Sequence, residues 1–392
     1  MRKIAVVTVA RSDYGICRPL LRVLSRDAGV ELQLIAAAMH LVPEFGRTAD
    51  EIERDGFTIA GRVEMLLAGD TPESIAKSMG VGMLGFAQAY ARLKPDLLVV
   101  LGDRFEMHAA AAAALPFNLP CAHLYGGDLT EGAMDDALRH SITKLSHLHF
   151  TSLPESAARI RQMGEEPWRV EVAGLLSLDN IAAVPALTRA ELEERCRLSL
   201  DPAPVLVTYH PETLEFQLAE QRIDALLAAL AEVDRPLVFT APNADTGGRA
   251  IAARIRGFIA GRRGAVLVES LGTQGYFGMM RCAAAMVGNS SSGIMEAPSF
   301  ELPVVNIGAR QHGRVRAANV IDVEPGRDAI AAGVRRALAP EFRGSLRGLA
   351  NPYGDGHAAE RIARRLRTVP LGDRLIRKRF IETAEEPALS LS

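Results

Sequence analysis

The sequence predicts an α/β protein made of two doubly wound domains in tandem. Three observations carry this prediction. Short β-rich apolar runs alternate with longer amphipathic stretches, the alternation pauses over residues 175–200 and then restarts, and glycine-flanked polar motifs follow directly after the apolar runs. Continuous apolar runs suit parallel strands covered on both faces, and helix-length crossovers suit parallel neighbours.

In the first half the expected strands are KIAVVTVA (3–10), ELQLIAAA (31–38), DLLVVLG (96–102), PCAHLY (120–125), HLHFTS (147–152) and RVEVAG (169–174). Helical patterns lie between them, as ICRPLLRVLSR (16–26), the 73–93 stretch and the alanine-rich 105–115. Residues 175–200 hold LSLDN, an acidic helix TRAELEERCRL and a DPAP turn, with no strand. The alternation restarts with APVLVTYHP (203–211), PLVFTAPNAD (236–245), AVLVESLG (265–272), AAAMVGNSSSG (283–293), LPVVNIG (302–308) and NVIDVE (319–324). The expected domains are therefore 1–178 and 179–365, both Rossmann-like, followed by a basic helical tail (366–392) that packs back on the first domain. At 392 residues each domain can bury its own core.

Composition narrows the partners. The net charge is −2, and no polybasic run or interleaved aromatic series marks a nucleic-acid surface. No apolar run reaches membrane-spanning length, and the run in MRKIAVVTV is too short for a secretory signal. Cys17, Cys121, Cys196 and Cys282 are widely spaced and form no C-x-x-C pair, as in a reduced, cytoplasmic protein. A homo-oligomer, dimer or tetramer, is expected.

In open parallel sheets ligands collect beyond the carboxyl ends of the strands, and two such domains make a cleft. Arg11 stands in RSDYG after the first strand, where a cation beside helix N–H groups suits an anion. Gly288-Asn289-Ser290-Ser291-Ser292-Gly293 follows the strand at 283–287. It lacks the G-K-[ST] of a Walker loop and the G-x-G-x-x-G of a dinucleotide turn, yet offers hydroxyls and N–H groups for a diphosphate. A simple serine N-cap is the competing explanation. Gly293 allows the tight turn, and Glu296 follows on the first helical turn, placed to accept from ribose hydroxyls. His210 and Asn243 end two neighbouring strands of the same domain.

In the first domain Asp103 and Asp128 end adjacent strands, which brings them to one crevice. The run GGDLTEGAMDDALRH (126–140) adds Glu131, Asp135, Asp136, Arg139 and His140. Met134, Leu138, Ile142 and Leu145 fall at helical spacing and predict one buried stripe, with Asp135–Arg139 and Asp136–His140 as i,i+4 pairs. Helix-start acids paired in this way need no function, but Asp103, Asp128 and Glu131 precede the helix and escape that explanation. His147 and His149 lack a third histidine or a cysteine beside them, so no metal is expected. A diphosphate cradle in one domain and carboxylates with a histidine in the other suit proton transfer at a carbon next to a nucleotide leaving group.

Taken together, RSDYG, GDRFE, GGD…EGAMDDALRHSITKLSHLHF, YHPET, GNSSSGIMEAPSF and PVVNIGARQHGR resemble the hydrolysing UDP-N-acetylglucosamine 2-epimerases of bacterial sialic- and legionaminic-acid pathways. The resemblance runs in order over about residues 1–320 and implies a glycosyltransferase-B-like fold. It also implies a reaction without a cofactor. UDP leaves C1 while the C2 proton is removed, and water then adds at C1 of the glycal while a proton returns to the other face of C2. The products are UDP and N-acetylmannosamine.

Carried over by position, the resemblance assigns Arg11, His210, Asn243, Ser290, Ser291, Gly293, Glu296 and Arg310 to UDP or the sugar. It assigns Asp103, Asp128, Glu131, Asp136, Arg139 and His140 to the reacting carbons, with Asp103 and Asp128 transferring protons and His140 orienting. Two departures stand out: many relatives have glutamate at Asp128, and others carry a lysine shortly after the glycine of RSDYG. The expected substrate is UDP-N-acetylglucosamine, with UDP-N,N′-diacetylbacillosamine or a GDP-linked analogue as the alternative. A non-hydrolysing epimerase, a glycosyltransferase of the same fold and a non-catalytic nucleotide-sugar sensor are the other classes to separate by experiment.

Overall fold

A computed structural model describes residues 1–43, 48–67, 71–129, 134–210, 218–241, 248–269 and 271–382. The chain forms two compact units, Met1–Asn180 with Tyr353–Ser392, and Ile181–Pro352. The first holds a seven-stranded sheet of β1 (Arg2–Thr8), β2 (Val30–Ala37), β3 (Ile59–Val63), β4 (Leu97–Leu101), β5 (Cys121–Leu124), β6 (Leu148–Thr151) and β7 (Val170–Val172), in the order β3-β2-β1-β4-β5-β6-β7. The second holds a six-stranded sheet of β8 (Val205–Thr208), β9 (Leu237–Thr240), β10 (Ala265–Val268), β11 (Ala285–Gly288), β12 (Val304–Ile307) and β13 (Val320–Val323), in the order β10-β9-β8-β11-β12-β13. Every strand pair in both sheets is parallel.

Both sheets are covered on both faces, which is why their central strands read as continuous apolar runs. All of β4, LLVVL, is buried. In the second unit Val205, Val207, Phe239, Val287 and Val305 pack into one cluster, whereas Leu206, Val238, Met286 and Val304 pack into another. The period of two therefore persists, hidden because both sides are apolar.

One strand is not legible in the sequence. β3 is short, sits at the sheet edge, and carries Gly61 and the exposed Arg62, so its apolar signal is broken. The helical stripe needs a correction too. Ile142 is buried and Leu145 packs on the core, but Met134 is 53 % exposed. The apolar spacing runs one turn beyond the core that receives it.

The second unit ends at Pro352, ahead of the expected limit at 365. The reason is the helix Ala358–Thr368, whose Ala359, Ile362 and Leu366 join the first unit's core. Its free N–H groups are satisfied by Asp179, which accepts from Ala358 N at 3.1 Å and Ala359 N at 2.8 Å. Among the described residues no helix is long and apolar enough to cross a membrane.

Candidate active site

The strand order creates a switch point in each sheet. β1 has β2 on one side and β4 on the other, while β8 has β9 and β11, so the following connections diverge and leave a crevice. The motifs singled out in the sequence lie at these two places and on the strands beside them.

In the first unit the organising group is Arg139, on the helix Met134–Leu145 and only 6 % exposed. Its guanidinium is paired with the Asp103 carboxylate, reaches Asp136 Oδ1 at 3.4 Å and donates to the main-chain oxygen of Asp128 at 3.0 Å. One cation thus gathers acids from the ends of β4 and β5 and from the helix. Asp136 also faces His140, with Oδ2 and Nε2 3.5 Å apart. The Asp128 carboxylate accepts from the Ser156 hydroxyl. Its approach needs glycine at 127, where φ is +81° and a Cβ would stand 2.3 Å from the Ser156 carbonyl oxygen.

His123 on β5 shapes the same end of the sheet, and the sequence reading did not single it out. Its Nε2 lies 2.7 Å from the Gly102 oxygen and its Nδ1 3.2 Å from the Thr143 hydroxyl, which in turn donates to the Arg139 oxygen. Burial pushes His123 down to about 3, so it is neutral and braces the turn that presents Asp103. A histidine within a strand at that end was the available signal.

Other expected residues are placed differently. Arg11, with its side chain 74 % exposed, pairs with Glu51 at 3.2 Å. Glu131 and Asn243 lie outside the described residues. His149 and His147 are turned inward to other work: His149 Nε2 stands 3.2 Å from Glu165, and His147 Nδ1 accepts from Cys121 N at 3.1 Å. Among the described residues no group of three or more His, Cys, Asp or Glu could hold a metal ion.

In the second unit Asn289 clasps the loop after β8. Its side-chain oxygen accepts from His210 N at 2.7 Å and its amide donates to His210 O at 2.9 Å. The Asn289 main-chain oxygen accepts from Arg310 at 3.1 Å and from Gln311 at 2.8 Å. So His210, Ser290 and Arg310, from three different loops, are tied together by a residue whose part the sequence did not reveal. Beneath the serines runs a file of hydroxyls: Ser290 to Ser292 at 2.8 Å, Ser292 to Tyr276 at 2.7 Å, Tyr276 to Thr208 at 3.3 Å and Thr208 to Thr240 at 2.9 Å.

The helix expected from Ile294 is a single turn, Ser292–Met295, with Ser291 at its N-cap and Gly293 buried inside it. Glu296 closes that turn and leads into a 3-10 turn at Ala297–Phe300. One turn carries little aligned dipole, so an anion here would rely on local N–H groups, serine hydroxyls and Arg310. Ser291 makes no side-chain cap, which removes the plain N-cap explanation for that serine.

With this geometry in hand, known proteins offer a comparison. A family model described as UDP-N-acetylglucosamine 2-epimerase matches residues 22–367. The GDP/UDP-N,N′-diacetylbacillosamine 2-epimerase (hydrolyzing) of Campylobacter jejuni is 42 % identical over 325 residues, 82 % of this chain and 84 % of that protein. The UDP-N,N′-diacetylbacillosamine 2-epimerase (hydrolyzing) of Legionella pneumophila is 37 % identical over 379 residues, 96 % of this chain and 99 % of that protein. Among solved structures, UDP-GlcNAc 2-epimerase from Neisseria meningitidis bound to UDP-GlcNAc superposes with a TM-score of 0.76 at 17 % identity, over 93 % of this chain and 99 % of that one. That likeness extends the glycosyltransferase-B-like fold across both units.

Proposed function

Since this chain belongs to the UDP-N-acetylglucosamine 2-epimerase family, we propose that it releases a free, C2-inverted 2-acetamido sugar from its nucleoside diphosphate by elimination and hydration. The observation that carries the proposal is that Arg139 holds the carboxylates of Asp103, at the end of β4, and Asp136, and ties in the chain at Asp128, past β5, through its main-chain oxygen. A sugar-transferring enzyme has no need of acids at C2, and a sensor of an anionic diphosphate has no need of clustered carboxylates.

The chemistry follows from the acidity of the C2 hydrogen, which is too weak for a carboxylate to remove unaided. Departure of the diphosphate from C1 must share the work. In this reading His210, Ser290, Ser291 and Arg310 offer donors to the charge that builds on the diphosphate. Asp103 takes the C2 proton, with Arg139 holding its carboxylate in place. Asp128, protonated at this stage and oriented by Ser156, gives its proton to the other face of C2. Water adds its hydroxyl at C1 and hands its remaining proton back to Asp128, and the proton taken by Asp103 is released to solvent. His140 and Asp136 polarise the sugar substituents.

The sequence favours UDP-N-acetylglucosamine as substrate. The names of the Campylobacter and Legionella relatives favour UDP-N,N′-diacetylbacillosamine, the alternative, and we take that diacetamido sugar as the first substrate to try. Its product would feed the legionaminic-acid type of pathway in the cytoplasm. The test is incubation with UDP- and GDP-linked 2-acetamido sugars in D2O, followed by mass analysis. The expected result is free nucleoside diphosphate plus an inverted sugar carrying one deuterium at C2. Return of an epimerised nucleotide sugar would point to the non-hydrolysing reaction, and nucleotide release without label would overturn the mechanism.

A further inference from the structure

The hydroxyls that run through the second unit to the serine loop come from four elements. Thr240 closes β9, Thr208 closes β8, Tyr276 stands on the helix Gly272–Cys282, and Ser290 and Ser292 follow β11. Each hydroxyl has one proton to give, so the file has a direction, and burial sets it. Thr240 donates to Thr208 at 2.9 Å. Thr208 is 5 % exposed, and among the described residues the acceptor for its own proton is the Tyr276 oxygen at 3.3 Å. If Tyr276 donated to Thr208 instead, Thr208 would receive two donors and leave its own proton unmatched away from water, which is costly. Tyr276 therefore donates toward the serines, meeting Ser292 at 2.7 Å. Ser292 in turn gives its proton to Ser290 at 2.8 Å.

Ser290 is thereby left as a donor. Its oxygen accepts from the Ser292 hydroxyl and, at 3.4 Å, from the Ser292 N–H, which fills both lone pairs. Its own proton meets no acceptor among the described residues and suits an incoming anion. Ser291 differs, since it makes no side-chain cap and shares no bond with the file, so its hydroxyl can turn either way. The Tyr276 ring packs on the cluster that holds Leu206, Val238 and Met286, a task phenylalanine would also perform. Burial raises the phenol above its ordinary value, against the pull of the Ser292 and Thr208 hydroxyls, so its proton stays in place. Packing alone does not call for that hydroxyl; the file does.

We propose that Tyr276 is a positioning residue that acts through Ser292 on Ser290, its hydroxyl fixing the Ser290 proton outward as a standing donor to the diphosphate. The donor is then oriented before the ligand arrives, and each bond in the file polarises the next. A preset donor is worth most where negative charge builds up, as it does on a departing diphosphate. The inference rests on the diphosphate reading of the serine loop proposed above.

The experiment is a double-mutant cycle on the full chain, read as UDP affinity by calorimetry. Tyr276→Phe should weaken UDP about fivefold and Ser290→Ala about tenfold. The variant carrying both should bind no worse than Ser290→Ala alone, because without Ser290 the file has no proton to aim. With Ser291→Ala, whose hydroxyl lies outside the file, the loss from Tyr276→Phe should add in full. Ser292→Ala cuts the file one step later and should match Tyr276→Phe. Thermal melting checks the fold of each variant, and should Tyr276→Phe fail to fold, Ser292→Ala takes its place in the cycle. Losses from Tyr276→Phe and Ser290→Ala that add, or a Tyr276→Phe variant that binds UDP as the wild type does, overturn the inference. So does a Tyr276→Phe loss that absorbs the loss from Ser291→Ala, the mark of a loop disturbed as a whole. A wild type that binds no UDP overturns the proposed diphosphate cradle instead.

Discussion

The guanidinium of Arg139 closes on the carboxylate of Asp103, joining the helix Met134–Leu145 to the turn that ends β4. Arg139 is nearly buried, whereas the Asp103 side chain is 29 % exposed, so the pair is anchored from the protein side and open on the acid's side. This is the arrangement a base needs: fixed in direction, yet reachable.

Arg139→Lys keeps the charge but loses the planar fork that spans Asp103, Asp136 and the Asp128 carbonyl. A loss of about a hundredfold in kcat is expected from misplaced carboxylates, with a smaller change in KM. Arg139→Gln should also lower folding stability by about 2 kcal/mol, measurable by urea denaturation.

Asn289→Ala removes both bonds that hold His210 to the serine loop. If this loop pair holds the diphosphate, affinity for UDP should fall about tenfold by calorimetry, because the donors must then be ordered at binding. Asn289→Asp keeps the acceptor for His210 N and should fall in between.

Gly288 has φ +146°, and a Cβ there would stand 1.9 Å from the Thr208 carbonyl oxygen. Gly288→Ala forces β8 and β11 apart and should cost about 2 kcal/mol or more in urea unfolding. Gly15 is the contrast, since it lies inside a helix and a Cβ there meets nothing within 4 Å. Gly15→Ala should stabilise by up to about 1 kcal/mol.

Acid should destabilise the first unit through several groups, of which His123 and Glu165 mark the two ends of the pH range. Burial lowers His123 from 6.5 to about 3, so the unfolded chain takes up a proton that the folded one refuses, and stability falls as pH drops below 6.5. Although burial opposes it, hydrogen bonds from His149, Lys144 and Lys378 lower Glu165 from 4.5 to about 2. Its contribution is present above 4.5 and is lost as pH falls through about 2. His123→Gln, measured by thermal melting across pH, should lessen the loss between about pH 6 and pH 4, the remainder coming from His40 and His147, which burial lowers to about 4, while leaving the lower limb from Glu165.

Much of the architecture was legible because it rests on short-range regularities. Apolar runs such as β4 and β11 announce strands buried on both faces, and the polar residues just past them must lie at carboxyl ends, so the places of Asp103, Asp128, His210 and Ser290 in the sheets were legible. The edge strand β3 was missed because an edge has only partial burial to print its pattern. Helical spacing suggested Asp135 as the partner of Arg139, yet the guanidinium goes to Asp103, 36 residues away in sequence. An i,i+4 pair on a helix is worth only a few tenths of a kcal/mol, less than a nearly buried guanidinium gains by meeting several acceptors at once.

The chain's own periodicities thus dictate its strands, its helices and the addresses of the polar groups at the strand ends, since those follow from neighbours a few positions apart. Which carboxylate meets which arginine, and that Asn289 ties His210 to the serine loop, are settled by contacts between distant segments. Such contacts exist only after the sheet order has brought β1 beside β4 and β8 beside β11, and no local pattern encodes that order.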